Sequence, residues 1–127
     1  MISLYFDGSC FPTGTEAHGA YILKDGDNVL HQHNFLEAKE GTNNIAEWAG
    51  LVAGLRHLRQ HYPDRGVHIF GDSQLVIYQL TGKYACKKEH LLPYLQEARQ
   101  LLDGVDWKAE WVRRDKNSDC DALSKKR

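Results

Sequence analysis

Residues 67–74 are Val-His-Ile-Phe-Gly-Asp-Ser-Gln, a short apolar strand that ends in a polar turn. The residues that follow, Gln74–Leu80, have the composition of a short helix that ends near Thr81-Gly82. A strand that leads directly into a helix is typical of a crossover connection in a parallel sheet. Functional sites in open sheets of this kind collect at the carboxyl ends of strands, which makes Asp72 the first candidate residue.

Upstream of this strand the pattern is that of antiparallel strands. Alternating or apolar residues predict strands over Ile2–Asp7, Gly19–Lys24 and Val29–Glu37, and Asp7-Gly8-Ser9 is expected to close the first one. The segment Asp25-Gly26-Asp27-Asn28 predicts a hairpin turn, because Gly and Asn tolerate the positive φ that such turns require.

The remaining segments predict helices and one more strand. Side-chain oxygens in Thr42-Asn43-Asn44 can cap a helix whose apolar positions recur from Ile45 until Tyr62-Pro63. Farther along, the patterns predict a helix over Leu91–Leu102, a strand over Trp107–Val112 and a helix over Ser118–Lys125, capped by Asn117 or Ser118. This order predicts an α/β fold: a mixed five-stranded sheet, three antiparallel strands then two parallel ones, with helices on both faces.

Length and composition indicate one globular domain over residues 1–127, with 42% hydrophobic and 26% charged residues. The three scattered cysteines, Cys10, Cys86 and Cys120, argue against a disulfide framework or a zinc site. The first residues show neither a basic start nor a long apolar run, so we expect no signal peptide, no membrane span and a cytoplasmic protein.

Charge is distributed unevenly along the chain. Residues 1–82 contain five Lys and Arg against nine Asp and Glu, a net charge of −4, whereas residues 83–127 contain eleven against eight, a net charge of +3. The basic half is either an ordinary solvated surface or a track for phosphates, and acidic metal ligands nearby would favour the second interpretation.

Four acids, Asp7, Glu47, Asp72 and Asp121, each have an ordinary structural explanation when taken singly. They could be a turn residue, a solvated helical residue, a helix cap and an acid near a helix N-terminus, respectively. Those explanations do not account for their joint placement, because the predicted sheet allows all four to converge. Carboxylates that converge repel one another, and hard divalent cations such as Mg²⁺ relieve that repulsion. The acids together therefore predict a metal site.

Four segments resemble, in order and spacing, the signature segments of type 1 ribonuclease H. They are Tyr5-Phe6-Asp7-Gly8-Ser9, Thr42-Asn43-Asn44-Ile45-Ala46-Glu47, Phe70-Gly71-Asp72-Ser73-Gln74 and Asn117-Ser118-Asp119-Cys120-Asp121-Ala122-Leu123. Each segment alone is weak evidence, whereas all four in order are strong, and they extend from Ile2 to about Lys125. The resemblance implies a ribonuclease H-like fold and an endoribonuclease that hydrolyses the RNA strand of RNA–DNA hybrids by two-metal-ion catalysis, leaving 5′-phosphate and 3′-hydroxyl ends.

The resemblance also implies roles for single residues. Asp7, Glu47, Asp72 and Asp121 would bind two Mg²⁺ ions, with Mn²⁺ as a substitute, and Asp121 is preferred over Asp119. Glu47 would also approach the ribose 2′-hydroxyl that distinguishes RNA from DNA. The expected contacts to the hybrid are Gly8, Ser9, Asn43, Asn44, Ser73, Gln74, Lys87 and Lys88.

This sequence departs from the family pattern in two ways. Bacterial members carry a His in a loop before the last acid, and none of the seven histidines (18, 31, 33, 57, 61, 68, 90) lies in Val112–Asn117. Arg114 stands there, as in the short archaeal-type branch, with an auxiliary catalytic role or a phosphate contact as the alternatives. The basic protrusion is reduced to Lys83–Lys88, which predicts modest substrate affinity.

Three alternatives to this function can be weighed on the same residues. Proofreading-type exonucleases place a second acid two residues after the first, where Ser9 stands here. A catalytically inactive hybrid-binding module would be expected to lack at least one of the four acids. Cleavage of double-stranded RNA as well as hybrids stays open, and no obligate protein partner is evident.

Overall fold

A computed structural model describes residues 1–11 and 16–126 of the chain. The strands are β1 (Ile2–Phe11), β2 (Glu16–Asp25), β3 (Asn28–Ala38), β4 (Val67–Gly71) and β5 (Trp107–Trp111). The helices are α1 (Asn43–His61), α2 (Gln74–Thr81), α3 (Leu92–Leu102) and α4 (Ser118–Ser124), with a short 3₁₀ turn at Arg114–Asn117 before α4. Within the described part of the chain, no helix is both long and apolar enough to cross a membrane.

The five strands form one sheet in the order β3-β2-β1-β4-β5. β1 and β2, like β2 and β3, are antiparallel, whereas β4 is parallel to both β1 and β5. The predicted mixed sheet is therefore confirmed. The hairpin between β2 and β3 turns at Gly26, whose φ of 62° is in the left-handed region that glycine adopts without strain.

Helices cover both faces of the sheet, as predicted. On one face, α1, α2 and α3 bury the main core, in which Leu4, Leu51 and Ile69 are fully inaccessible. On the other face, α4 packs Cys120 and Leu123 against β2 in a much smaller apolar cluster. Alternate residues of one strand therefore have different partners, which follows from the two-residue period of a strand.

The predicted end of the first strand is wrong. Asp7-Gly8-Ser9 does not close β1, which continues to Phe11 and stays paired with β2 as far as the Phe11–Glu16 pair. The backbone ladder continues through Gly8 and Gly19, and Asp7 points away from the main core, so an acid in the strand interior needs no turn. The other elements agree with the expected ones, with ends that differ by a few residues.

Candidate active site

The parallel pairing of β1 with β4 brings Asp7 close to Asp72. Tyr5 pairs with Phe70, and their rings stack with centroids 5.0 Å apart. Asp7 lies two residues after Tyr5 in β1, and Asp72 lies two residues after Phe70, just past the end of β4, so their side chains leave the sheet on the same side as that aromatic pair. The register of two neighbouring strands thus places two acids side by side.

Gly8 lets α1 cross β1 at very close range. A Cβ atom on Gly8 would collide with the backbone of Ala46 and of Glu47, so only glycine permits this approach. The crossing holds Glu47 next to the acids of the two strands. One carboxylate oxygen from each of Asp7, Glu47 and Asp72 lies within 4.8 Å of the other two.

This acidic group is electrostatically unfavourable without a cation. Asp7 is 4% exposed, and burial together with the charge of Asp72 raises its pKa to about 8, although hydrogen bonds from Gly8 and Ser124 oppose the shift. Burial also raises the pKa of Glu47 to about 7; a hydrogen bond with Ser73 opposes that shift. The fold therefore holds together carboxyl groups that resist ionisation when no positive ion lies between them.

One oxygen of this group has no hydrogen bond. Among the described residues, nothing donates a hydrogen bond to the buried Oδ2 of Asp72, and the nearest cation is Arg114, whose Nε lies 3.5 Å away on a side chain that is 77% exposed. A buried carboxylate oxygen without a donor fits a metal ligand. The oxygen-only donor set suits a hard divalent cation such as Mg²⁺ or Mn²⁺.

Asp121 borders the same pocket but stands apart from the three grouped acids. It lies in the first turn of α4, as predicted, and its Oδ2 accepts a hydrogen bond from Lys125 Nζ at 3.2 Å. The pocket is lined by Asp7, Gly8, Ser9, Cys10, Asn43, Glu47, Arg114, Asp121 and Lys125. The structure thus brings all four predicted acids to one place, with Asp121 at its rim and partly neutralised by a lysine.

The remaining predicted site residues fall into two groups. Ser9 and Asn43 line the pocket, and the Ser73 hydroxyl caps α2 at Val76 N as well as bonding Glu47. Four others do not line it: Asn44, Gln74, Lys87 and Lys88. Their contacts to a substrate stay predictions, and so do those of the first group.

Sequence reasoning missed Ser124 as a part of this site. Ser124 is fully buried, and its hydroxyl donates toward Asp7 Oδ2 at 3.0 Å while lying 2.8 Å from the carbonyl oxygen of Asp121. Its own carbonyl oxygen accepts a hydrogen bond from Ser9 Oγ at 2.8 Å. The available signal was its position three residues after Asp121, which places both on one side of a helix.

Asn117 has a different role from the predicted one. It precedes α4, but its side chain makes no capping bond. Instead, its buried Nδ2 donates to the carbonyl oxygen of Phe6 at 2.9 Å, and this bond ties the start of α4 to β1 beside Asp7. The amide is used in this contact with the backbone of β1 and not as a helix cap, and it fixes where α4, and with it Asp121, lies.

Comparison with known proteins agrees with this geometry. The family model described as reverse transcriptase-like matches residues 5–127. The chain belongs to this family. A curated ribonuclease HI from Halobacterium salinarum is 33% identical over 124 residues, which are 97% of this chain and 62% of that protein. The chain thus spans about three fifths of that relative's length.

Solved structures support the same fold. A ribonuclease H crystal structure from Halobacterium salinarum superposes with a TM-score of 0.87 at 32% identity, covering 96% of this chain and 92% of that one. LC11-RNase H1 in complex with an RNA/DNA hybrid has a TM-score of 0.88 at 25% identity, covering 97% and 93%. The resemblance to type 1 ribonuclease H and the ribonuclease H fold are therefore confirmed.

Proposed function

We propose that this chain is a metal-dependent endoribonuclease that hydrolyses the RNA strand of RNA–DNA hybrids and leaves 5′-phosphate and 3′-hydroxyl ends. The observation that carries the proposal is the group of Asp7, Glu47 and Asp72, with three carboxylate oxygens within 4.8 Å of one another. A relative solved in complex with an RNA/DNA hybrid supports the choice of substrate. The proposal includes a cytoplasmic location, as expected from the sequence.

The ligands for two Mg²⁺ ions, with Mn²⁺ as a substitute, are the three grouped acids and Asp121. Bound ions would supply a water of lowered pKa and stabilise the departing 3′ oxygen. Asp7 is a fixed ligand, because burial and the Ser124 hydroxyl leave it little freedom. Asp121 would hold an ion in place of its present partner Lys125, and the lysine would then be available to a phosphate.

The other residues around the pocket are proposed to contact the substrate. Glu47 would also accept a hydrogen bond from a ribose 2′-hydroxyl, the group that marks the RNA strand. Arg114 is largely exposed beside Asp72 and can reach a phosphate or the leaving strand. Ser9 and Asn43 line the pocket, and Lys87 and Lys88 are exposed farther away for backbone contacts.

A cleavage assay on three duplexes of one sequence tests the proposal. The substrates are an RNA–DNA hybrid, double-stranded RNA and double-stranded DNA, each with Mg²⁺, with Mn²⁺ and with a chelator. We expect cuts in the RNA strand of the hybrid, none in DNA and none with chelator. Cleavage of double-stranded RNA as well would widen the substrate class.

Two results would contradict the proposal. Binding of the hybrid without cleavage in either metal would identify an inactive binding module. Cleavage that persists at full rate in Asp72→Asn would mean that the grouped acids are not the catalytic metal ligands.

A further inference from the structure

Four of the seven histidines form one cluster at the edge of the sheet, away from the acids. His31 and His33 lie on β3, and His57 and His61 lie on α1. Glu47 is ten residues before His57 in the same helix, so the cluster is about 15–20 Å from the acidic group along that helix. Nothing in the proposed cleavage reaction uses these side chains.

The pairing of β3 with β2 turns both strand histidines toward α1. His31 pairs with Leu23 and His33 with Tyr21, and these two β2 residues pack in the core beneath α1. Residues directly opposite in a ladder project to the same face. His31 and His33 therefore face the helix that carries His57.

Three of the rings form a continuous stack. The His31 and His57 ring centroids are 3.8 Å apart with 3° between the planes, and His61 lies on the other side, 4.2 Å from His57. His33 extends the group, with its centroid 6.4 Å from that of His31. His57, at the centre of the stack, contacts both the strand and the next turn of the helix.

We infer that His31, His57 and His61 form a second metal site, for a borderline divalent ion such as Zn²⁺. Histidines four residues apart on a helix are spaced as two ligands of one zinc ion, and His31 supplies a third imidazole from the strand. His33 or a water completes a four-coordinate ion.

Ligand chemistry separates this site from the acidic one. Imidazole nitrogen favours Zn²⁺, Ni²⁺, Cu²⁺ and Co²⁺, whereas carboxylate oxygen favours Mg²⁺ and Mn²⁺. Burial and the neighbouring imidazoles also lower the pKa of His57, which keeps that ring in the neutral form a metal requires. The cluster therefore selects ions that the proposed cleavage reaction does not need.

Metal binding requires the stack to open. No three ring nitrogens of the cluster lie within 4.8 Å of one another in the described structure, because the rings are stacked face to face. His31 and His57 are only half-buried and His61 is exposed, so their side chains can rotate about χ1 and χ2. The rotation breaks the contacts of the His31 and His57 rings with the buried Tyr21 ring.

Zn²⁺ titration calorimetry on the full chain tests this inference. Excess Mg²⁺ is present throughout, and the measurement is repeated in Asp72→Asn, where the acidic site is disabled. We expect one Zn²⁺ per chain in both proteins, and an affinity at least about tenfold lower in each of His31→Ala, His57→Ala and His61→Ala. His90→Ala, which removes an exposed histidine outside the cluster, is the matched control and should bind like the parent protein.

A second measurement identifies the ligands. Co²⁺ bound by imidazoles in four-coordinate geometry gives a visible absorption band, which should be lost in His57→Ala and His61→Ala but kept in His90→Ala. His61 is exposed on α1, so His61→Ala tests the site even if His57→Ala folds poorly. Absence of Zn²⁺ uptake in Asp72→Asn, or unchanged affinity in His61→Ala, would overturn the inference without touching the proposed nuclease function.

Discussion

Glu47 and Trp48 are neighbours in α1, and both side chains are at least partly buried. They differ in what surrounds their polar atoms. Trp48 is fully buried, and its Nε1 donates to Oε1 of the buried Gln79 at 3.0 Å. Glu47 points instead into the acidic group, where burial and, to a smaller extent, the charge of Asp72 raise its pKa to about 7. Trp48 is satisfied by one neutral partner, whereas the hydrogen bond of Glu47 with Ser73 does not offset the burial of its charge.

The difference separates structural from functional burial of polar groups. A buried donor matched with an acceptor costs little and holds α1 against α2, whereas leaving one unmatched would cost about 1–3 kcal/mol. Carboxylates held close together oppose folding unless a cation is bound. The Trp48–Gln79 hydrogen bond stabilises the folded chain without a ligand, whereas the acidic group forms a binding site for a cation.

The largest expected effect is the loss of cleavage when one of the grouped acids is replaced. Asp7→Asn, Glu47→Gln and Asp72→Asn each remove one carboxylate without changing side-chain size, and each should lower the rate of hybrid cleavage by at least about a thousandfold. Single-turnover assays with Mg²⁺ measure the rate. Circular dichroism on the same samples should show an intact fold.

Gln79→Leu tests the structural hydrogen bond, because it removes the acceptor of Trp48 Nε1. It leaves Trp48 Nε1 buried without an acceptor, so the free energy of unfolding should fall by about 1–3 kcal/mol. Urea denaturation measures that loss, and cleavage at a temperature where the variant is folded should be unchanged. In the Trp48→Phe background no donor is left unmatched, so Gln79→Leu should cost less there than in the parent protein; an equal loss in both backgrounds would contradict this account.

The pH dependence of stability measures how much the acidic group destabilises the metal-free protein. The folded state holds the pKa of Asp7 at about 8, above its ordinary value of 3.8. Between these values the folded chain keeps a proton that the unfolded chain has released, so stability falls as pH rises from about 4 to about 8. The melting temperature should therefore decline across this range.

Two comparisons identify the acids as the origin of that decline. Asp7→Asn should flatten the profile and, near pH 8, raise the melting temperature of the metal-free protein by a few degrees. Saturating Mg²⁺ should flatten the profile of the parent protein. A decline of the same slope in Asp7→Asn would assign the effect to other groups.

The smallest effect is expected for Arg114→Ala. The guanidinium is largely exposed and 3.5 Å from Asp72 Oδ2, and an exposed ion pair contributes at most about 1 kcal/mol, so turnover should fall about two- to fivefold. The Mg²⁺ dependence should stay as it was. Arg113→Ala, one residue earlier and also exposed, is the control, and an equal loss in that variant would indicate a general effect of basic charge on hybrid binding.

Local signals were sufficient for most elements of the fold. Thr42 caps α1 through its Oγ1, and the hairpin at Gly26 joins β2 to β3, both as the residue types predict. The exception was the end of β1. Asp7-Gly8 resembles a turn when read alone, but the pairing of Gly8 with Gly19 in β2 continues the strand, and pairing between distant segments has no local signature.

The sequence by itself determined the kinds of chemistry available: four acids in spaced segments, an arginine shortly before the last acid, and helix and strand periods that specify a mixed sheet. Tertiary structure decided which atoms meet, because distances depend on strand register and on where a glycine lets a helix approach. The Ser124–Asp7 bond, the Asn117 tie to Phe6 and the stacked histidines of β3 and α1 each join residues that lie far apart in the chain. No periodicity along the chain encodes such contacts, since they arise only when packed elements bring separate segments together.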